Sequence, residues 1–99
     1  MNLYKKGNMN YNYAFVFYDI EEKRVQKVFK TCKKYLTHYQ YSVFRGEISP
    51  SQIIELETEL KKIIKPKVDF VCFILLKGDY LFEEKTLGTR KKDSEELFI

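Results

Sequence analysis

The stretch YAFVFYDI, residues 13–20, decides the fold of this chain. Its odd-numbered positions up to 17 are aromatic and its even-numbered positions are aliphatic or aromatic, so a strand over residues 13–19 would be apolar on both faces. Both faces of such a strand must be covered. The predicted strand ends on Asp19, whose ionised carboxylate is costly to bury without a partner. We therefore expect Asp19 at the strand end, paired with another group or bound to a cation.

The composition predicts one soluble domain. A chain of 99 residues can build one core, and its 44% hydrophobic and 16% aromatic content excludes a disordered chain. No apolar run approaches the roughly 20 residues needed to cross a bilayer, and the polar leader over residues 1–12 lacks the features of a secretory signal. We expect a cytoplasmic protein with no membrane contact.

The cysteine content agrees with a reducing compartment. Cys32 and Cys72 each fall in an apolar stretch, and together with the single His38 they do not form a spaced zinc-binding set. We expect both cysteines to be reduced core residues. His38 has no evident acid or base partner in the sequence, so we expect no catalytic role for it.

A helix and one or two strands follow the first strand. Apolar residues at helical spacing predict a first helix over residues 21–36. Residues 38–48 are rich in β-branched and aromatic side chains, with Gly46 as a bend. The sequence leaves open whether they form one bent strand or two short ones.

A capping-box pattern predicts the start of a second helix. Ser49 is the expected N-cap, with Pro50 at the first helical position and Gln52 three residues after the cap. This helix is expected to stop before Pro66. Residues 69–76 then predict a last strand that is again apolar on both faces.

This order of elements favours an α+β fold. With a hairpin in the middle it is the ferredoxin-like βαββαβ sandwich, an antiparallel sheet with two helices on one face, over residues 13–80. The other face would stay apolar, and its expected cover is a second copy of the chain, which predicts a homodimer. The tail, residues 81–99, ends in a short apolar segment that could add a C-terminal strand to its own sheet or be swapped to the partner's.

Basic residues are concentrated in the body of the chain. Residues 1–67 hold 13 Lys or Arg against 7 Asp or Glu. Helical spacing places four lysines on one narrow face of the first helix, opposite its apolar face: Lys23, Lys27, Lys30 and Lys34. Arg24 flanks this stripe, and no acidic residue lies between residues 23 and 46. The stripe can be an ordinary solvated face, but we favour a nucleic-acid interface that contacts phosphates without sequence specificity.

Three separated motifs resemble those of the CRISPR-associated adaptation proteins of the Cas-two family, a family of CRISPR-associated endoribonucleases. They are a first strand ending in Tyr-Asp-Ile, a basic start of the first helix, and a Gln-x-Ser-Val-Phe segment that leads into an acidic turn. Here the motifs are formed by Tyr18, Asp19 and Ile20, by Lys23 and Arg24, and by Gln40, Ser42, Val43, Phe44, Gly46 and Glu47. The likeness covers most of residues 13–76 in order and spacing. Lys23 departs from the paired arginines common in the family, and a lysine lacks the bidentate phosphate fork.

The resemblance implies a homodimer that binds double-stranded DNA and bridges two dimers of the CRISPR integrase, of the Cas-one family, during spacer acquisition. It also implies metal-dependent endonuclease activity on RNA or DNA. Asp19 would be the catalytic residue and the ligand of a magnesium ion shared across the dimer. Arg45 would join the basic helix in binding nucleic acid, and three residues would support the site: Tyr18, Ser42 and Phe44.

Two questions stay open at the level of sequence. Asp19 could instead be only the N-cap of the first helix, with Glu22 completing a capping-box-like pair. The protein could also be a non-catalytic DNA-binding bridge of the integration complex, or a related stand-alone ribonuclease toxin. The residues alone do not decide between these functions.

Overall fold

The computed structural model describes residues 11–77 and 83–89. It contains two helices and four strands, in the order β1 (Tyr13–Asp19), α1 (Glu22–Lys33), β2 (Thr37–Gln40), β3 (Val43–Glu47), α2 (Pro50–Lys61) and β4 (Phe70–Leu76). The four strands form one sheet in the order β2-β3-β1-β4, and every neighbouring pair is antiparallel. The predicted ferredoxin-like α+β fold is confirmed. No helix of the described residues is long and apolar enough to cross a membrane.

The middle of the chain is a hairpin of two short strands, which settles the question left open by the sequence. The chain reverses at residues 41–42, where Tyr41 adopts a left-handed backbone conformation with φ 49°. Gly46, the predicted bend, instead lies within β3. Its φ of 151° is one that side-chain-bearing residues rarely adopt, so the glycine is required by backbone conformation at this position.

The first helix ends earlier than the sequence predicts, and the second ends before Pro66 as predicted. α1 stops at Lys33, and Leu36 is buried in the turn that follows it. α2 stops at Lys61. At its start the predicted capping box is present: the Ser49 hydroxyl accepts a hydrogen bond from the backbone N–H of Gln52 at 3.2 Å, and the Gln52 side chain accepts one from the N–H of Ser49 at 3.1 Å.

The two faces of the sheet differ sharply in exposure. The helix-facing side of β1 and β3 contributes fully buried residues, among them Val16 and Phe44. The opposite face stays open, and large apolar side chains on it are exposed: Phe17 by 37%, Phe70 by 59% and Ile74 by 43%. The fold therefore leaves one apolar sheet face without a cover from the described residues.

The two cysteines lie on different sides of the sheet. Cys32 is buried in the core, and burial raises the pKa of its thiol to about 12. Cys72 is half-buried and pairs in register with Phe17, so it lies on the open face rather than in the predicted core position. Both are free thiols.

Most of the tail lies outside the described residues, as does most of the leader. The described part, residues 83–89, forms no helix or strand. Glu84 there contacts the β2–β3 hairpin through Arg45 and through the hydroxyl of Tyr39. The added or swapped strand and the boundaries of leader and tail stay predictions.

Candidate nuclease site and cationic face

Asp19 is the last residue of β1, beside the first residue of β4. It is exposed to solvent and pairs in register with Phe70. Within residues 11–77 and 83–89 its side chain makes no hydrogen bond or ion pair. The N-cap of α1 is Glu21, and this helix has no side-chain cap hydrogen bond. The alternative in which Asp19 is the N-cap, paired with Glu22, is therefore wrong.

Asp69, one residue before β4, provides the contacts that fix the start of α1. Its side chain is fully buried and accepts a hydrogen bond from the backbone N–H of Glu21 at 2.9 Å and one from that of Lys65 at 2.8 Å. It also accepts from Nε of Arg24 at 2.6 Å and from a terminal guanidinium nitrogen of Arg24 at 3.1 Å. The carboxylate therefore joins α1 to the segment that connects α2 with β4.

The charge of Asp69 is stabilised by these donors. The hydrogen bond from Arg24 and those from the two backbone N–H groups hold the pKa of the Asp69 carboxyl far below its usual range, although burial acts in the opposite direction. Asp69 is a residue that the sequence did not lead us to expect at the site. The available clue was a second aspartate at the end of an apolar strand, the same pattern that drew attention to Asp19.

The structure divides the predicted nucleic-acid-binding residues into two groups. Lys23, Lys27 and Lys30 are exposed along one side of α1 and form no ion pair with any described residue. The other three predicted residues have acidic partners: Arg24 with Asp69 and Glu21, Lys34 with Glu59, and Arg45 with Glu84. The first group remains available for an external anion.

Arg24 and Arg45 are the most constrained of the paired cations. The Arg24 side chain is only 11% exposed, because its guanidinium lies against Asp69. The Arg45 guanidinium lies over the ring of Tyr39, 4.3 Å from its centroid, while it contacts Glu84. Both guanidinium groups therefore hold parts of this chain together.

The three predicted supporting residues act through packing and backbone. Tyr18 is buried, its hydroxyl has no hydrogen-bond partner among the described residues, and burial raises its pKa. Phe44 is a fully buried core residue that packs edge-on against Phe29, with ring centroids 5.2 Å apart. The carbonyl of Ser42 accepts a hydrogen bond from the N–H of Tyr18 at 3.2 Å. These contacts hold β1 against the β2–β3 hairpin close to Asp19.

His38 also has a structural environment. Its Nε2 lies 2.7 Å from the carbonyl oxygen of Tyr41, at the tip of the hairpin. Its ring packs against Phe29 and Phe44, with centroid distances of 4.7 and 5.0 Å. These contacts account for the histidine as a residue that closes the hairpin onto the core.

The described part of the chain does not assemble a metal site by itself. No group of three or more His, Cys, Asp or Glu side chains within residues 11–77 and 83–89 is arranged to hold a metal ion. Asp19 is a single hard oxygen ligand at an exposed strand end. A complete site requires ligands beyond those of the described residues of one chain.

Comparison with known proteins gives a consistent assignment. The family model for CRISPR associated protein Cas2 matches residues 12–83. A CRISPR-associated endoribonuclease Cas2 of Thermotoga maritima is 37% identical over 86 residues, which cover 87% of this chain and 99% of that protein. A CRISPR-associated endoribonuclease Cas2 of Thermodesulfovibrio yellowstonii is 41% identical over 80 residues, covering 81% of this chain and 91% of that protein.

Solved structures agree with these relatives. A crystal structure of Cas2 matches with a TM-score of 0.76 at 39% identity, covering 83% of this chain and 92% of that one. The structure of Streptococcus pyogenes Cas2 at pH 6.5 matches with a TM-score of 0.68 at 30% identity, covering 77% and 99%. The match of sequence and fold along most of the chain establishes that it belongs to the Cas2 family of CRISPR-associated proteins, whose relatives named here are endoribonucleases.

Proposed function

We propose that this protein is a dimeric, magnesium-dependent endonuclease of CRISPR adaptation, with the metal held by Asp19 from each of two copies. The observation that carries the proposal is the Asp19 side chain, which is exposed and makes no hydrogen bond or ion pair with any described residue. Asp69 accepts four hydrogen bonds from three groups of the chain, whereas Asp19 contributes to none of these contacts. A carboxylate that the fold does not use remains available for an external ligand.

The donor set fits magnesium best when two chains contribute. Magnesium prefers six oxygen ligands, takes one or two carboxylates from a protein and keeps several waters. Two Asp19 carboxylates together with waters match that preference, whereas one carboxylate alone holds the ion more weakly. When bound, the ion would activate a water and stabilise charge on the phosphate being cleaved. Each of the two chains contributes one negative charge, that of Asp19, at the end of its β1 strand.

The open sheet face supports the dimer. The exposed apolar side chains of β1 and β4 lie on the same face and form a continuous patch that includes Phe17 and Phe70. Large exposed apolar patches usually mark interaction surfaces. A second copy would present the same patch, and in a twofold-symmetric pair the residues near the axis approach their own equivalents. Asp19 lies on this face beside its register partner Phe70, so an axis at this end of β1 would bring the two carboxylates to a shared seam.

The free lysines of α1 supply the binding surface for the substrate. Lys23, Lys27 and Lys30 present positive charge along one side of the helix, as point charges without base-reading geometry. Such a surface binds the phosphates of RNA and of duplex DNA alike. It also supports the scaffold role, in which the dimer holds double-stranded DNA between integrase dimers.

Replacing Asp19 by asparagine tests the metal role. Asn has nearly the same shape, but its amide is a poorer ligand for a hard cation. We expect Asp19→Asn to abolish magnesium-dependent cleavage of RNA and DNA, and to leave the melting temperature without metal and duplex binding close to wild type. Glu22→Gln is the matched control, because it removes one exposed carboxylate three residues away. This control should retain cleavage.

The outcomes separate the two functions. Full cleavage by a contaminant-free Asp19→Asn preparation would refute the metal role. A wild-type protein that binds duplex but never cleaves, with any divalent metal, would leave the DNA-binding scaffold as the function. Sedimentation should show a dimer at micromolar concentration, and a clean monomer there would contradict the shared site.

A further inference from the structure

We propose that the groove between α1 and the C-terminal turn of α2 binds the phosphodiester backbone of one nucleic-acid strand, with Lys62 as a direct phosphate contact. The lysine stripe read from the sequence lies on α1 alone and does not include Lys62. This inference rests on the nucleic-acid binding proposed above and identifies where on the surface a strand lies. The groove is formed only when the second helix packs beside the first.

The groove has a strongly cationic lining. Its volume is about 500 Å³, and no acidic residue lines it. Five of the seven lining residues are cations: Lys23, Arg24, Lys27, Lys30 and Lys62. The pairing of Arg24 with the buried Asp69 leaves four lysines as the source of its net charge.

Glu59, a described acidic residue that Lys62 influences, is already bound by other groups. Lys62 is the C-cap residue of α2 and is exposed. The pKa of Glu59 is lowered mainly by hydrogen bonds from Lys34 and Tyr35, with Lys62 as a weaker and more distant influence. Among the described residues Lys62 forms no ion pair. Its ammonium group therefore remains available to the groove.

The spacing of the lysines favours a phosphate chain over a small anion. From Lys23 to Lys30 the helix rises about 10 Å, at about 1.5 Å per residue. Phosphates on one strand of a duplex advance about 3.4 Å each along its axis, so a row of this length can contact more than one phosphate of a strand. Lys62 adds a positive charge from the other wall of the groove. A polyanion can satisfy both walls at once.

Neutralising Lys62 tests the groove, and Lys61 provides a matched control. Lys61 precedes Lys62 in sequence, is 71% exposed and is paired with Glu57 at 3.3 Å, but does not line the groove. Both substitutions to glutamine remove one charge, so they change the net charge equally. The measurement is the affinity for a fluorescent duplex as a function of salt concentration, made with the full chain. Each lost phosphate contact lowers the magnitude of the slope of log K against log salt by about one.

We expect Lys62→Gln to lower the slope by about one and Lys61→Gln to leave it unchanged. Lys62→Arg, which keeps the charge, should retain the wild-type slope. Equal losses in Lys61→Gln and Lys62→Gln would overturn the groove, because they would indicate only a long-range effect of net charge.

A second comparison separates this inference from the proposed function. If Lys62→Gln leaves the slope unchanged while Lys27→Gln lowers it, the proposed role of the groove is wrong, and the proposed binding of nucleic acid by α1 is supported. If neither variant changes the slope, the nucleic-acid face fails together with the groove. If Lys62→Gln weakened binding to a protein partner and left duplex binding unchanged, the assignment of the groove to nucleic acid would be overturned.

Discussion

Asp19 and Asp69 occupy neighbouring positions at one end of the sheet, yet the fold uses them in opposite ways. Asp19 closes β1 and pairs in register with Phe70, the residue that follows Asp69. Asp69 is buried and accepts hydrogen bonds from Arg24 and from two backbone N–H groups. Asp19 is exposed and has no partner among the described residues. One carboxylate therefore holds the structure, and the adjacent one remains free for chemistry.

This difference shows that the position of an acid at a strand end does not determine its role. The two residues differ in whether hydrogen-bond donors surround their carboxylates. Arg24 and the N–H groups of Glu21 and Lys65 all point at Asp69, so its charge is compensated in place. The start of α1 is consequently stabilised from another segment of the chain, and Asp19 is released from the capping role that its sequence position suggests.

Removing the Asp69 carboxylate should have the largest effect on the melting temperature. In Asp69→Ala the guanidinium of Arg24 would remain largely buried without its partner, and two backbone N–H groups would lose their acceptor. We expect the melting temperature to fall by more than about 10 °C, measured by circular dichroism. Asp19→Ala should lower it by less than about 4 °C, since no contact within the described chain is lost. Equal losses in the two variants would contradict the division of roles.

The dependence of stability on pH should distinguish the same two residues. The pKa of Asp69 is lowered in the folded protein, so the unfolded chain takes up a proton near pH 4 while the folded protein does not. The stabilisation by Asp69 is therefore complete above about pH 4 and is lost as the pH falls below it. We expect thermal unfolding between about pH 6 and pH 3 to show this loss in wild type, and a weaker loss in Asp69→Asn. A wild-type melting temperature that stays constant over this range would contradict the role of Asp69.

The sequence predicts the secondary structure around this site better than its tertiary contacts. The continuous apolar run placed β1 at 13–19 and the capping box placed the start of α2, because both patterns depend on neighbours in sequence. The contact between Arg24 and Asp69 spans 45 residues, and no local pattern indicates it. The assignment of Arg24 to nucleic acid and of Asp19 to a cap both followed from local reasoning about groups whose roles depend on tertiary contacts.

Charge alone likewise could not show which of the six predicted basic residues are paired with acids within the chain. Lys34 and Arg45 have the same local appearance as Lys27, but α2 and the tail bring acids to the first two. The same packing brings Lys62 beside the α1 lysines, although it lies 32 residues beyond Lys30 in a different helix. The interface that we propose therefore uses fewer residues of α1 than the predicted stripe and includes Lys62, which the stripe did not contain.

Glu59 is an intermediate case between the two aspartates, and its substitution should have a small effect on the melting temperature. It is partly exposed and contacts both Lys34 and the hydroxyl of Tyr35, which joins the end of α1 to α2. Because solvent screens such a pair, Glu59→Gln should lower the melting temperature by only a few degrees, far less than Asp69→Ala. A loss as large as that of Asp69→Ala would show that burial does not separate the two carboxylates.

The tyrosine provides a second and sharper measurement of the same contact. The hydrogen bond to Glu59 raises the pKa of Tyr35 to about 12, with burial and the negative charge of Glu59 acting in the same direction. The contribution of Tyr35 to stability is therefore present below its unfolded pKa of about 10 and is lost as the pH rises through about 12. In Glu59→Gln the charge disappears, so we expect the pKa of Tyr35 to move back towards 10, followed by NMR of labelled tyrosine rings. An unchanged titration would mean that burial and Glu55, rather than Glu59, control this hydroxyl.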